Sequence, residues 1–342
     1  MDELQADPEG MGGTQAGGQG QRERDAQFWY EDGTVILVAH NVEFRVYKGV
    51  LAQHSLFFRD MFSLPQPPNA DGEVSCPIVP MSDSPEDVRH VLQACMIPGS
   101  PRLTGSELIM RISLFRREEP SFDLISACVR LGHKYHMGQL LGVSIAFLKS
   151  YYTTDLDTWQ RHWATYDHGK CVQELPVGFT DLHAIGVVNL ARLTGETSLL
   201  PTAFLQCHVL EDRVFDGFAR PDGSHEGLQL ADLKRCVKAK GRLAAASVAI
   251  SVRIYLPSVS EGCTTRDACL AGFQLALALL DWYSDIVTRQ DPFRPLLRLY
   301  EPPEGLPLCA CCVNLAMERG KEAQEEFWKK LPEMFDIRVD GW

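Results

Sequence analysis

The stretch DGTVILVAHNVEFRVYKGVLAQHSLFFRDMF, residues 32–62, changes its spacing of apolar side chains twice. Val35–Ala39 is a continuous apolar run, whereas apolar and polar side chains alternate over residues 42–47. A continuous run is typical of a strand buried on both faces, and alternation is typical of a half-exposed strand. Because only His40 and Asn41 separate the two runs, they predict a β-hairpin.

Residues 48–62 carry apolar side chains at steps of three and four, which predicts two short helices broken near Ser55. Residues 78–81 predict one more short strand. A helix should follow it, because Ser84 can serve as N-cap and Asp87 can close a capping box. Two further amphipathic helices are predicted between Ser121 and residue 152. The pattern is that of a small sheet combined with helices.

The rest of the chain shows only helical periods from residue 154 onward, and residues 228–255 predict two helices around Gly241. The fold class expected is therefore an α+β N-terminal domain followed by an all-α C-terminal domain. The domains expected are a Gly/Gln-rich disordered tail at 1–27, the α+β domain at 28–152 and the all-α domain at 153–342.

Composition excludes several classes of function. The 33 Lys and Arg against 45 Asp and Glu leave a net charge of −12, which disfavours direct binding to nucleic acid or to an anionic membrane. The apolar run 268–280 is too short to span a bilayer. Eleven cysteines without a short secreted context favour reduced thiols. We expect an intracellular protein of the cytoplasm, the nucleus or both.

The segment 32–62 also resembles the opening of a BTB/POZ domain. The residues that carry the likeness occur in the family's order: Asp32, Gly33, Phe44, Leu51, Ser55, Phe58, Met61 and Phe62. Residues 63–66, 76–79 and 131–135 are similar to the fungal branch of the family in particular. The resemblance covers about residues 28–152 and implies a small sheet with helices.

The resemblance implies a module that binds other proteins, with homodimerisation or recruitment to a cullin-type ubiquitin ligase as the usual outcomes. In the family, a hydrophobic-x-acidic tripeptide after the capped helix favours cullin binding. Between residues 97 and 123 no acidic residue has a hydrophobic residue two positions before it. We therefore expect a homo-oligomerising scaffold for an unidentified partner, with a cullin adaptor and a transcription co-regulator acting through a partner as alternatives.

Residues 97–120 are the predicted protein-binding segment. They contain more apolar side chains than a solvated linker needs, yet four arginines interrupt them. Such a mixture is typical of a short amphipathic helix that faces either its own domain or a partner. The candidate contact residues are Ile109, Ile112, Leu114 and Phe115.

Cys309 and Cys312 have the spacing of a pair of zinc ligands, next to Cys311. A structural zinc needs four ligands, and no second Cys or His pair lies near in sequence; His133 and His136 would have to supply it. We expect buried thiols at the start of the last helix, no metal and no cofactor. The two histidines are expected to be partly buried in packing positions.

No motif of an enzyme is found. The chain lacks a phosphate-binding loop, an HExxH motif, a strand-flanked GxGxxG and a G-x-S-x-G elbow. Residues 167–171 combine Asp, His and Cys, but catalytic groups are assembled from distant segments rather than from neighbours. Trp159 and Trp163 are expected to pack in a core or between domains rather than to bind a ligand. We expect a non-enzymatic protein without catalytic residues, with an enzyme in the helical half as a further alternative.

Overall fold

The computed structural model describes residues 22–64, 76–96, 120–165, 171–280, 291–295 and 307–342. The chain divides into two units. The first comprises Met1–Lys48 and Gln66–Pro85, and the second comprises Gly49–Pro65 and Glu86–Trp342.

The first unit contains a four-stranded sheet in the order β1-β3-β2-β4. Its strands are β1 (Glu23–Trp29), β2 (Val35–Ala39), β3 (Val42–Val46) and β4 (Ile78–Met81). The hairpin of β2 and β3 is antiparallel, as the change of apolar spacing predicts, while β1 and β4 join its two edges in parallel. Phe44, one of the signature residues, is fully buried.

Strand β1 corrects the expected tail of residues 1–27, because pairing begins at Glu23. The Glu23 N–H donates to the carbonyl of Asn41 at 2.8 Å, and the buried Asp25 carboxylate accepts the backbone N–H groups of Gln27 and Phe28. Parallel pairing supplies hydrogen bonds that composition does not reveal, and residues 23–27 therefore belong to the sheet.

The turn before β2 shows why the signature needs glycine. A Cβ at Gly33 would lie 2.9 Å from the carbonyl oxygen of Tyr30 and 2.8 Å from Cγ of Arg45, closer than packed atoms approach. Beside it, the hydroxyl of Tyr47 donates to Asp32 at 2.7 Å. Asp32 and Gly33 thus hold the entry to the hairpin in place.

The second unit is mostly helical. The helices among the described residues are α1 (Lys48–His54), α2 (Leu56–Ser63), α3 (Pro85–Cys95), α4 (Phe122–Lys134), α5 (Gly138–Tyr151), α6 (Leu156–Arg161), α7 (His183–Thr194), α8 (Leu200–Val209), α9 (Leu230–Ile254), α10 (Arg266–Leu279), α11 (Ala310–Lys329) and α12 (Leu331–Met334). Helices α1 and α3 each begin at the last residue of a segment of the first unit. None of the helices in the described part of the chain combines the length and apolar character needed to cross a membrane.

The C-terminal region is mostly helical, as expected, and two short hairpins lie within it. Strands β5 (Trp163–Thr165) and β6 (Cys171–Gln173) form one, and β7 (Phe218–Ala219) and β8 (His225–Glu226) form the other. Strands of two or three residues are too short to display the alternation by which a strand is recognised in a sequence.

Helix α9 is a single helix, although Gly241 was expected to separate two helices. Nothing lies within 4 Å of the position that a Cβ of Gly241 would occupy, so the glycine sits on an open face. A glycine in a helix interior costs only about 1 kcal/mol relative to alanine. Good helix formers on both sides of Gly241, including Ala244–Ala246, outweigh that cost.

One hydrophobic core runs across the predicted boundary at residue 152. Phe122 in α4 and Ile145 in α5 belong to the same buried cluster as Phe204 in α8 and Phe335 after α12. A second cluster joins α9, α10 and α11 through Ile250, Phe273, Ala316 and their neighbours. No break in packing therefore marks residue 152, and the domain boundary stays a prediction.

Candidate functional site

Ser55 connects the start of α2 to the end of α4. Its hydroxyl accepts the N–H of Phe58 at 3.0 Å, as a helix N-cap does, and donates to the carbonyl of Tyr135 at 2.6 Å. The residue is 1% exposed. This signature serine therefore fixes both the break between α1 and α2 and the position of α2.

The other signature residues of α2 differ in burial. Phe58 is 2% exposed, and its ring stacks on Tyr135 and Phe62 with centroids 5.1 and 5.8 Å apart. Met61 and Phe62 are only half-buried, whereas Leu51 in α1 is buried. The core of this corner of the second unit thus depends chiefly on Phe58 and Leu51.

A groove lies beside this corner, with a volume of about 520 Å³. Leu56 and Arg59 of α2 line one side, and His133 and His136 line the other. Leu56 projects into solvent with 51% of its surface exposed, and its N–H donates to the carbonyl of His136 at 3.4 Å. The groove offers an apolar rim with basic and imidazole groups.

His133 and His136 were expected to be partly buried, and the structure corrects this: both are exposed. His133 lies in the last turn of α4, and His136 follows its C-cap Tyr135 with a φ of 53°. Both side chains line the groove at the end of α4 rather than the core. A third groove residue, His54, is half-buried, and burial lowers its pKa below the usual histidine range.

The segment predicted to bind protein lies outside the described residues. Ile109, Ile112, Leu114 and Phe115 therefore remain a prediction from the sequence. The acid, base and thiol motif of residues 167–171 lies largely outside them as well.

A four-cysteine cluster forms at the other end of the helical unit. It comprises Cys263, Cys269, Cys309 and Cys312, whose sulfur atoms all lie within 4.8 Å of one another. Cys263 comes from the loop after α9, Cys269 from the first turn of α10, and Cys309 and Cys312 from the start of α11. The expectation that His133 and His136 would have to supply the second pair of ligands is therefore wrong, because Cys263 and Cys269 lie beside Cys309 and Cys312.

A backbone hydrogen bond ends on a sulfur atom of the four-cysteine cluster. The N–H of Cys309 donates to the sulfur of Cys269 at 3.2 Å, and the N–H of Cys312 donates to the carbonyl of Cys309 at 3.0 Å. The backbone N–H of Cys312, together with the neighbouring thiols, lowers the pKa of Cys309 to about 6. Cys311, between them in sequence, is exposed and lies outside the cluster. The expectation of buried thiols at the start of α11 therefore holds for Cys312 but not for the half-buried Cys309 or the exposed Cys311.

The sequence carried a weak signal for this cluster. Cys309 and Cys312 have ligand spacing, but Cys263 and Cys269 are separated by five residues and lie about forty residues earlier. This differs from the C-x₂-C…C-x₂-C pattern by which zinc sites are usually recognised. Only the packing of α10 against α11 shows that the two pairs meet.

Trp159 lies in the core, as expected. It is fully buried, and its indole N–H donates to the buried carboxylate of Asp291 at 2.9 Å. Trp163 is only half-buried. Neither ring lines the groove beside α2.

A comparison with protein families identifies a BTB/POZ domain over residues 26–105. The chain therefore has a BTB/POZ domain, with its small sheet and helices, followed by a mostly helical C-terminal region. BTB/POZ domains mediate protein–protein interactions. A search of curated proteins finds no significant match to the chain.

Proposed function

We propose that this protein is a non-enzymatic scaffold that associates with itself through its BTB/POZ region and holds a partner protein. The observation that carries the proposal is the BTB/POZ match over residues 26–105, since the family is one of protein-interaction modules. The likeness of residues 63–66 and 76–79 to the fungal branch supports a fungal-type member.

The groove beside α2 supports a place for the interaction. Leu56 presents an apolar surface next to Arg59, and apolar anchors with a polar rim are typical of interfaces. The described cysteines are free thiols, which supports a function inside the cell.

Sedimentation of the full chain over a range of concentrations tests the proposal. We expect reversible self-association that Leu56→Asp weakens about tenfold or more, equivalent to about 1.4 kcal/mol. The matched control is Leu230→Asp, because Leu230 on α9 is a leucine at least as exposed as Leu56, at 65%, and lies outside the groove.

Other results of these experiments would contradict the proposal or favour an alternative. A chain that stays monomeric at all concentrations contradicts self-association. Self-association that Leu56→Asp leaves unchanged removes the groove as its site. A stable complex with the N-terminal region of a cullin would favour the adaptor alternative.

A further inference from the structure

The four-cysteine cluster has sulfur atoms close enough together to bind one metal ion. A zinc ion bound by four thiolates at about 2.3 Å places the sulfur atoms about 3.8 Å apart. The sulfur atoms of Cys309 and Cys263 are 3.7 Å apart, and all four lie within 4.8 Å of one another. A disulfide would need a separation near 2.0 Å, so these sulfurs stand at ligand distance rather than bonding distance.

Hydrogen bonds reach the cluster as they reach thiolate ligands. The N–H of Cys309 donates to the sulfur of Cys269 at 3.2 Å, and the hydroxyl of Thr265 lies 3.2 Å from the same sulfur. Four anionic sulfurs close together repel each other, and such donors offset part of that repulsion and orient the ligands.

We propose that Cys263, Cys269, Cys309 and Cys312 bind one structural Zn²⁺. Four sulfur donors around one ion favour zinc or a single iron among the metals that proteins bind. All four positions come from the protein, which is the arrangement of a structural site rather than a catalytic one. A cluster of several irons would hold the cysteines further apart than they are.

The ion would join three elements of the helical unit. Two ligands, from the loop after α9 and from α10, meet two ligands at the start of α11. Cys269 and Cys312 are fully buried in the cluster formed with Phe273 and Ala316, so the site is continuous with packed helices. The zinc would fix the loop and the two helix ends in one arrangement.

The first experiment uses the unmodified full chain, purified without chelators. Elemental analysis should find about one zinc per chain and almost no iron. A mercurial that blocks thiols should release that zinc, measured with a chromogenic chelator. Stripping the metal should lower the midpoint of thermal unfolding, and adding zinc back should restore it.

Matched variants locate the site. Cys263→Ser and Cys312→Ser should each lose the bound zinc, while Cys311→Ser should keep it, because Cys311 is exposed and lies outside the cluster. The release experiment on the unmodified chain decides the matter if the cluster variants do not fold.

Several results would overturn the proposal. They are a chain without metal in which all four thiols react freely, a disulfide between any two of the four cysteines, and one equivalent of iron in place of zinc. Zinc retained in both cluster variants would place the ion elsewhere and would equally reject this site.

Discussion

At the scale of single residues, Asp291 is a carboxyl group buried at 2% exposure. Trp159 and the backbone N–H of Phe293 donate to its two oxygens at 2.9 and 2.8 Å. Burial outweighs these bonds and raises the pKa of Asp291 to about 6. Since an unfolded aspartate titrates near pH 4, the folded state binds the proton more tightly.

The consequence is a loss of stability as the pH rises. The contribution of Asp291 to the free energy of unfolding is fully present below about pH 4 and is lost as the pH rises through about 6. Compared with Asp291→Asn, which does not titrate, the free energy of unfolding of the unmodified chain should fall on the order of 3 kcal/mol between pH 4 and 7. Denaturant unfolding of both chains at several pH values measures this fall in the free energy of unfolding.

The comparison with the variant is needed because His208 titrates in the same range with the opposite sign. Burial lowers the pKa of His208 to about 4, so its contribution is lost as the pH falls below the usual histidine value. That effect is common to both chains and cancels in the difference. Parallel pH profiles for the two chains would contradict the role of Asp291.

At the scale of one element, α2 should depend on Phe58 far more than on Met61. Phe58 is fully buried and stacks on Tyr135, so Phe58→Ala should cost about 3 to 5 kcal/mol. Met61 is half-buried, and Met61→Ala should cost only about 1 to 2 kcal/mol. Thermal and denaturant unfolding of the two variants measure the difference, and equal costs would show that this face is packed differently.

The same element shows what a sequence reveals about this fold. The spacing of apolar residues predicts the hairpin, the break at Ser55 and the helix α2, because each depends on neighbours within a few residues. The spacing does not distinguish the buried Phe58 from the half-buried Met61, since the burial of Phe58 depends on Tyr135, which lies almost eighty residues later. The four-cysteine cluster was missed for the same physical reason: its ligands come from segments about forty residues apart.

At the scale of the second unit, a buried charge network joins α3 to the hairpin of β7 and β8. Nη2 of Arg220 lies 2.9 Å from both carboxylate oxygens of Asp87, and Nη1 lies 3.3 Å from Glu226. Glu226 also accepts Arg130 at 2.9 Å. The Arg220 side chain is only 8% exposed.

Removing Arg220 should therefore be costly. Arg220→Met leaves the carboxylates of Asp87 and Glu226 short of a partner in a buried place, and we expect a loss of about 3 to 5 kcal/mol. Arg213→Met is the matched control, because the pair of Arg213 with Asp181 is exposed and should contribute about 0 to 1 kcal/mol. Similar unfolding midpoints for both variants would show that the network is not needed for stability.

The shared core leads to a last prediction, about truncation at residue 152. Phe122, Ile145 and Tyr152 pack in one cluster with residues beyond the cut, including Phe204. A fragment of residues 22–152 would expose that apolar surface to water, at about 25 cal/mol per Å². We expect it to precipitate, or to bind a hydrophobic dye and unfold without a cooperative transition.

The control is the chain of residues 22–342, which lacks only a Gly/Gln-rich segment that the sequence predicts to be dispensable. It should melt as the full chain does, since β1 begins at Glu23 and remains intact. If the fragment of residues 22–152 instead melts cooperatively near the midpoint of the full chain, the helices before residue 152 form an independent core. The boundary predicted from the resemblance would then mark a true domain.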